Sequence, residues 1–407
     1  MRRCFRMSIA AAVAAATATA AVPSSALATA ALSTGADDPV VWAWGYNAYG
    51  ELGDGTTDSR HCPVEVPGTA GAVAVAAGET NSAALKSDGS VWTWGRNRYG
   101  QLGDGSSADR PYAAVVPGLD DVIAISGGLN FVVALRSDGT VWAWGDNVVG
   151  QLGDGTTTNR RTPVEVIGID HVVAVSGGGG HTMALRSDGT VWAWGYNGQG
   201  ELGDGTTTDR HHPVQVVGLD DVVAVDAGGE HTLAARSDGT VWAWGANRLG
   251  VLGDGTRTDS HVPIRVRGLT DVVAVTAAWA DSYAVGADGS VQAWGSNSEG
   301  QLGDGTRVDR LRPVRTYVHP IRRGAVVAVD AGAQHGVALR ANGAMAAWGY
   351  DDQGELGDGG GRTRVWPNPV LGAYGAVALA AGSRHTLAVA PASSDADGSA
   401  KRGCPSS

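Results

Sequence analysis

Four histidines, His181, His231, His335 and His385, stand at one position of a repeated segment. A ring of imidazoles could bind a metal ion. Each lies in a separate repeat unit, however, which is too far apart to share one ion. The expectation is that each hydrogen-bonds to a neighbouring unit. Asn81, Phe131 and Asp281 replace histidine in the other units. A second column holds carboxylates: Asp54, Asp104, Asp154, Asp204, Asp254, Asp304 and Asp358, all in a G-D-G run. Calcium needs clustered oxygens, and these stand nearly alone. Each is therefore expected to fold back on its own turn. The glycines at 177–180 look like a phosphate cradle, but no helix and no Gly-Lys-Ser/Thr follows them. The nucleophile elbow G-x-S-x-G and the metalloprotease H-E-x-x-H are both missing. The pairs Asp120-Asp121 and Asp220-Asp221 recur with the repeat, as loop residues do. The residues point to no enzyme, no cofactor and no metal.

The elements that carry these columns follow from a strict period. A Trp-Gly pair recurs at Trp44, Trp94, Trp144, Trp194, Trp244 and Trp294, each 50 residues from the last, and again at Trp348. Such a period marks one supersecondary unit stamped out repeatedly. Each unit has four short runs rich in β-branched or aromatic residues, parted by Gly, Pro or Asp-Gly. These are strands. Asp188-Gly189 is a hairpin turn, because Asp and Gly tolerate positive φ. Residues 172–175, which lead into the glycines, suit the crowded axis of a radial array. Pro163 is expected to open an outer strand, where an unpaired ladder must be protected. Trp192 and Trp194 share one strand face and are both expected in the core.

The two ends of the array are incomplete in complementary ways. The chain opens with V-V-W-A-W-G at 40–45, and no Trp-Gly strand follows the final run at 377–389. Sharing one blade between the ends closes a ring and removes the sheet edges. The fold is therefore all-β: a seven-bladed β-propeller of four-stranded antiparallel blades over residues 39–390. Residues 1–28 read as a signal peptide, 29–38 as a short linker and 391–407 as a disordered tail.

Alternate turns of a blade lie on opposite faces. The Ser-Asp-Gly turns and Gly-Leu-Asp-Asp links make one face uniform. The other face varies: Tyr46, Arg96, Asp146, Tyr196, Ala246, Ser296 and Tyr350 occupy one position. Tyr49, Tyr99, Leu249, Phe131 and Trp279 add apolar bulk near it. Exposed aromatic residues on a loop face favour binding. The candidate ligand site is Tyr46, Tyr49, Arg96, Tyr99, Phe131, Asp146, Tyr196, Trp279 and Tyr350. One spacing is longer, by four residues within 316–324 beside His319, Arg322 and Arg323, and reads as a tolerated insertion.

The formal charge of −11 disfavours nucleic acid and anionic lipid as partners. Arg2, Arg3 and Arg6 precede an Ala-rich apolar stretch, with Ala26-Leu27-Ala28 as a cleavage site, so export is expected. No later segment is apolar for long enough to span a bilayer. Cys62 and Cys404 would remain after cleavage. Export permits a disulfide between them, although two unpaired thiols is the simpler reading.

The string D-G-x-V-W-x-W-G-x-N-x-x-G-x-L-G-D-G, with G-x-x-H-T-x-A-L ahead of it, resembles the regulator of chromosome condensation (RCC-type) repeat family. The resemblance implies a seven-bladed propeller. It also implies nucleotide exchange on a small GTPase as one function of such a scaffold. The segment A-A-W-A-D-S-Y-A at 277–284 is similar to a turn of the secreted β-lactamase-inhibitory propeller, which implies enzyme inhibition as another. The residues themselves favour an exported, monomeric binding module for an extracellular protein or cell-envelope ligand.

Overall fold

The computed structural model describes residues 38–318 and 324–392. They form seven four-stranded sheets, each antiparallel throughout. A typical blade runs outward through β11 (Val172–Gly177), β12 (His181–Arg186), β13 (Val191–Gly195) and β14 (Arg210–Gln215). The β12–β13 turn works as its sequence demands. Asp188 Oδ1 accepts from the Thr190 amide (3.0 Å) and hydroxyl (2.6 Å), and Gly189 takes a φ of 79°.

The closing blade has the order β2-β1-β28-β27. Here β1 (Val40–Gly45) and β2 (Arg60–Glu65) come from the beginning of the array, and β27 (Ala378–Ala381) and β28 (His385–Ala390) from its end. The ladder runs from Val40 opposite Ala390 to Gly45 opposite His385. The first fragment thus completes the last blade, as its composition implied.

Proline falls elsewhere than expected. Pro163 lies inside the outer strand β10 (Arg160–Glu165), where the register shifts between Arg160 and Val164. The bulge and the outermost position together remove any need for its missing N–H.

The core is a set of apolar clusters between neighbouring blades. One holds Leu185, Val191 and Leu202 of one blade with Val222, Val225 and Trp244 of the next. All seven tryptophans of the Trp-Gly pairs are fully buried. Each indole N–H reaches back to the preceding blade's long loop: Trp194 to the Gln151 carbonyl (3.0 Å), Trp244 to Glu201 (2.8 Å), Trp44 to Glu355 (3.0 Å). Gly153, with a φ of 66°, lets that loop pass. A Cβ there would sit 2.8 Å from the Trp194 ring nitrogen.

The first tryptophan of each pair does not share this burial. Trp92, Trp142, Trp192 and Trp242 are only half-buried. The Trp192 indole N–H donates to Thr190 Oγ1 at 3.3 Å, and Arg186 lies 5.8 Å from its ring. Strand alternation gives both rings one face, but only the second ring is covered by the preceding blade and its long loop. Trp42 is the exception, because the Pro391 carbonyl accepts its N–H at 3.2 Å.

Cys62 on β2 is disulfide-bonded, which corrects the expectation of two free thiols. Cys404 lies outside the described residues, as do the expected signal peptide (1–28), residues 29–37 of the expected linker, residues 319–323 of the longer spacing, and residues 393–407 of the expected tail. No helix of the described residues is long and apolar enough to cross a membrane.

Candidate functional site

The histidine column is structural. His181, His231, His335 and His385 each approach a hydroxyl on the next blade through Nε2: Thr232 (3.0 Å), Ser282 (2.9 Å), Thr386 (3.0 Å) and Ser82 (2.9 Å). Those hydroxyls give their own protons to loop carbonyls, as Ser82 does to Glu51 (2.7 Å) and Ser282 to Val251 (2.9 Å). The imidazole Nε2 must then be the donor. Burial keeps the rings neutral, lowering His181 and His335 to about 4 and His231 and His385 to about 3. Among the described residues, no three His, Cys, Asp or Glu side chains are grouped to hold a metal ion.

The carboxylate column behaves as its turn chemistry predicts. Asp154 Oδ1 accepts from the Thr156 amide (3.0 Å) and hydroxyl (2.8 Å). Sequence reasoning missed the second half of the unit. Arg160 places Nε 2.7 Å from Asp154 Oδ2. Burial alone would raise the Asp154 carboxyl, but the bonds from Thr156 and Arg160 outweigh it and hold it low. Six blades repeat this pair, through Arg60, Arg110, Arg160, Arg210, Arg310 and Arg364. Ser260 takes the arginine position beside Asp254.

A cavity of about 130 Å³ opens at the axis on the variable face, lined in part by Ser126, Ser176, Asp226, Trp279 and Asp330. Its polar side chains clip one inner strand to the next. Ser126 Oγ accepts from the Gly177 amide (3.0 Å), Ser176 Oγ from Ala227 (3.0 Å), Asp226 Oδ2 from Ala277 (2.9 Å) and Asp330 Oδ2 from Ala381 (3.1 Å). Burial pushes Asp226 up to about 6 and Asp330 up to about 7. Trp279 stands on the rim, 48 % exposed.

The structure gathers four of the sequence-selected residues into one patch and places the others on neighbouring loops or in the core. Tyr46 and Tyr350 flank Arg384, whose guanidinium carbon lies 5.3 Å and 5.2 Å from their ring centres. Arg384 Nε also meets Glu355 Oε1 at 3.2 Å. Arg96 lies 4.5 Å over the Tyr49 ring. Burial raises the Tyr46 phenol, with the Glu51 charge beside it. Tyr46, Tyr49, Arg96 and Tyr350 thus form one aromatic and cationic patch beside the closing blade, with Arg384 as the member the sequence did not reveal. Tyr99 pairs with Arg98 at 5.6 Å in the next loop. Asp146 is half-buried, and burial raises its carboxyl. Tyr196 stands over Gly180 on a different loop. Phe131 is a correction. It is fully buried in the histidine column and packs against Gly128, so it offers no surface.

Toward the opposite face, the second residue of several inner strands is an exposed aliphatic, among them Ile123, Val173 and Val273. Its turns repeat nearly unchanged between blades.

With seven blades, a shared closing blade and a repeat-specific loop in view, the comparisons agree. The RCC1-like domain matches residues 116–398, and the regulator of chromosome condensation (RCC1) repeat matches 40–85, 88–135 and 72–101. The chain belongs to the RCC1-like family. Prp20p from Saccharomyces cerevisiae has the same fold, with a TM-score of 0.77 at 22% identity over 89% of this chain and 93% of that one. Human WBSCR16 gives a TM-score of 0.78 at 22% identity over 87% and 99%. Yeast RCC1 (Prp20) bound to Kap60 gives 0.78 at 21% identity over 96% and 97%. The curated proteins contain no significant match. The likeness to an inhibitory propeller is not shown by these comparisons.

The RCC1-like propeller carries its own control for the Asp–Arg unit. Ser260→Arg should restore the seventh ion pair. The other six arginines keep 13% to 42% of their side chains exposed, and their aspartates 2% to 17%. A gain of about 0.5–1 kcal/mol is expected, read as a higher denaturant midpoint at unchanged slope.

Proposed function

We propose that this RCC1-like propeller is a non-catalytic binding module that recognises a protein through its variable face, and that it works outside the cytosol. One observation carries the reading. Tyr46, Tyr49, Arg96, Tyr350 and Arg384 converge on the single face whose loops differ from blade to blade, and Trp279 stands exposed on that face. Aromatic and arginine side chains dominate protein-recognition energetics. The charged and then apolar leader supports export. Among the fold neighbours, Prp20p has binding properties toward Gsp1p and histones, which supports a protein as the ligand class.

Capture from the surrounding medium and cell envelope tests this. Wild type, Tyr46→Glu/Trp279→Glu and Ile123→Glu are compared at matched thermal stability. The double variant should lose the captured partner by more than about 30-fold in affinity, the scale of a hot-spot residue. Ile123→Glu, on the uniform face, should retain it. The opposite pattern overturns the reading. A second reading, nucleotide exchange, comes from the family alone. It requires accelerated nucleotide release from a small GTPase at catalytic amounts of propeller.

A further inference from the structure

The repeat provides an internal template for an unfilled position on the variable face. In the closing region Glu355 is buried (1% side-chain exposure) and its Oε1 holds Arg384 Nε at 3.2 Å. Tyr350 and Tyr46 stand on either side of that guanidinium. Three units earlier, the equivalent residues are Glu201 for Glu355, Tyr196 for Tyr350, Ala246 for Tyr46 and Glu230 for Arg384. The backbone equivalence is direct. The Tyr46 amide donates to the Arg384 carbonyl (2.9 Å), and the Ala246 amide donates to Glu230 (2.8 Å). The carboxylate base and one aromatic wall are therefore present, the second wall is trimmed to a methyl group, and a second carboxylate stands where the cation belongs.

Glu201 is left short of a partner. It is fully buried, its Oε2 accepts the Gln199 amide at 2.9 Å, and its Oε1 meets no hydrogen-bond donor. Burial first, then the negative charges of Glu230 and Asp209, push its carboxyl up to about 7. The other blades differ in the charge beside this position. Glu51 Oε1 also meets no donor and burial also pushes its carboxyl up to about 7, but the Arg96 charge is nearby, and Glu355 has Arg384. Gln101 donates to Asn130 (3.4 Å), Gln301 donates to Ser296 (3.2 Å) and Gln151 pairs with Asp146. Val251 is apolar. Among the described residues at this position, Glu201 is the carboxylate with no cation beside it.

We propose that the slot formed by Tyr196, Glu201 and Glu230 receives the guanidinium of an arginine presented by a protein partner. The inference deepens the binding-module reading and rests on it. Two carboxylates with an adjacent ring suit a planar, forked cation better than a compact ammonium. Trp279 borders the slot, since its ring lies within 3.2 Å of the position of a Cβ on Gly229, the residue before Glu230. The burial of Glu355 beneath Arg384 shows that a guanidinium reaches this depth.

N-acetyl-arginine amide is the probe, followed by amide shifts of Tyr196, Gly229 and Glu230. N-acetyl-citrulline amide is the neutral isostere. The arginine probe should shift these amides at millimolar concentration, and citrulline should bind at least about 10-fold more weakly, the scale of one charge-assisted bond. Glu201→Gln keeps the fold, because glutamine occupies this position at 101, 151 and 301, and should abolish probe binding. Glu230→Arg should fill the slot from within, raising the melting temperature and abolishing probe binding. Equal binding of both probes, binding that survives both variants, or calcium shifting these amides where arginine does not, overturns the proposal. Partner capture that depends on Tyr46 and Trp279 while the arginine probe fails sinks the slot alone. Capture that ignores those two residues sinks the face reading, whatever the probe does.

Discussion

A propeller lacking residues 40–45 should lose cooperative melting. The strand β1 lies between β2 and β28, and six residue pairs join it to β28 alone. Its side chains serve two interfaces at once. Val40, Trp42 and Trp44 pack with the preceding blade, while Val41 and Ala43 pack with the following one. Losing the buried Trp44 ring alone costs about 3–5 kcal/mol, against a total stability of about 5–15 kcal/mol for a typical domain. The deletion also uncovers the β28 edge and strips β2 of its neighbour among the described strands, which leaves open ladders prone to pairing with other copies. A broad, low-temperature transition with aggregation is expected in scanning calorimetry. A truncated chain that melts as sharply and as hot as the intact one would mean that the ring is held shut by something other than its shared blade.

The ring was legible because its causes are local and repeated. Asp-Gly turns fix hairpins, glycines crowd the axis, and the 50-residue period multiplies each signal. The complementary ends needed no distance information. The histidine column makes the expected bonds to a neighbouring blade and the aspartate column the expected bonds to its own turn. Where the reading failed, it lacked depth along the strand. Alternation assigned Trp192 and Trp194 to one face but could not say which ring the neighbouring blade covers. Phe131 follows the axial turn, which favours a surface place for it on sequence grounds. Its place in the histidine column, where burial is the rule, was the signal that would have corrected this.

The candidate site was legible in its composition and less so in its assembly. Tyr46 and Tyr350 come together only after the ring closes, and Arg384 joins them across the same seam. No spacing in the chain announces that contact. The Asp–Arg pairs were within reach, because an arginine six residues after the aspartate recurs in six of the seven units. The polar column Ser126, Ser176, Asp226, Thr276 and Asp330 recurs in five of the seven units, with alanine at 76 and 380. Its role in clipping inner strands depends on their close packing at the axis, which periodicity alone does not convey.

Two alanine substitutions in one strand separate these levels of reading. Trp194→Ala should cost about 3–5 kcal/mol, because a fully buried ring leaves a void between blades and the bond to the Gln151 carbonyl is lost. That carbonyl keeps the Thr182 hydroxyl at 2.8 Å, so it does not add the penalty of a stranded acceptor. Trp192→Ala should cost about 1 kcal/mol, since its ring is already half in water and its indole bond to Thr190 is long at 3.3 Å. The repeat has performed a version of this experiment. Gln292 and Ala346 replace the first tryptophan in two blades, whereas the second tryptophan is present in all seven. Urea midpoints of the two variants at equal slope measure the difference directly. Equal losses would mean that the uniform face contributes as much packing as the interblade core. Gly153→Ala should also be costly with the Trp194 ring at full size, because a Cβ there would meet both that ring and the Val166 side chain at 2.8 Å on a backbone with a φ of 66°.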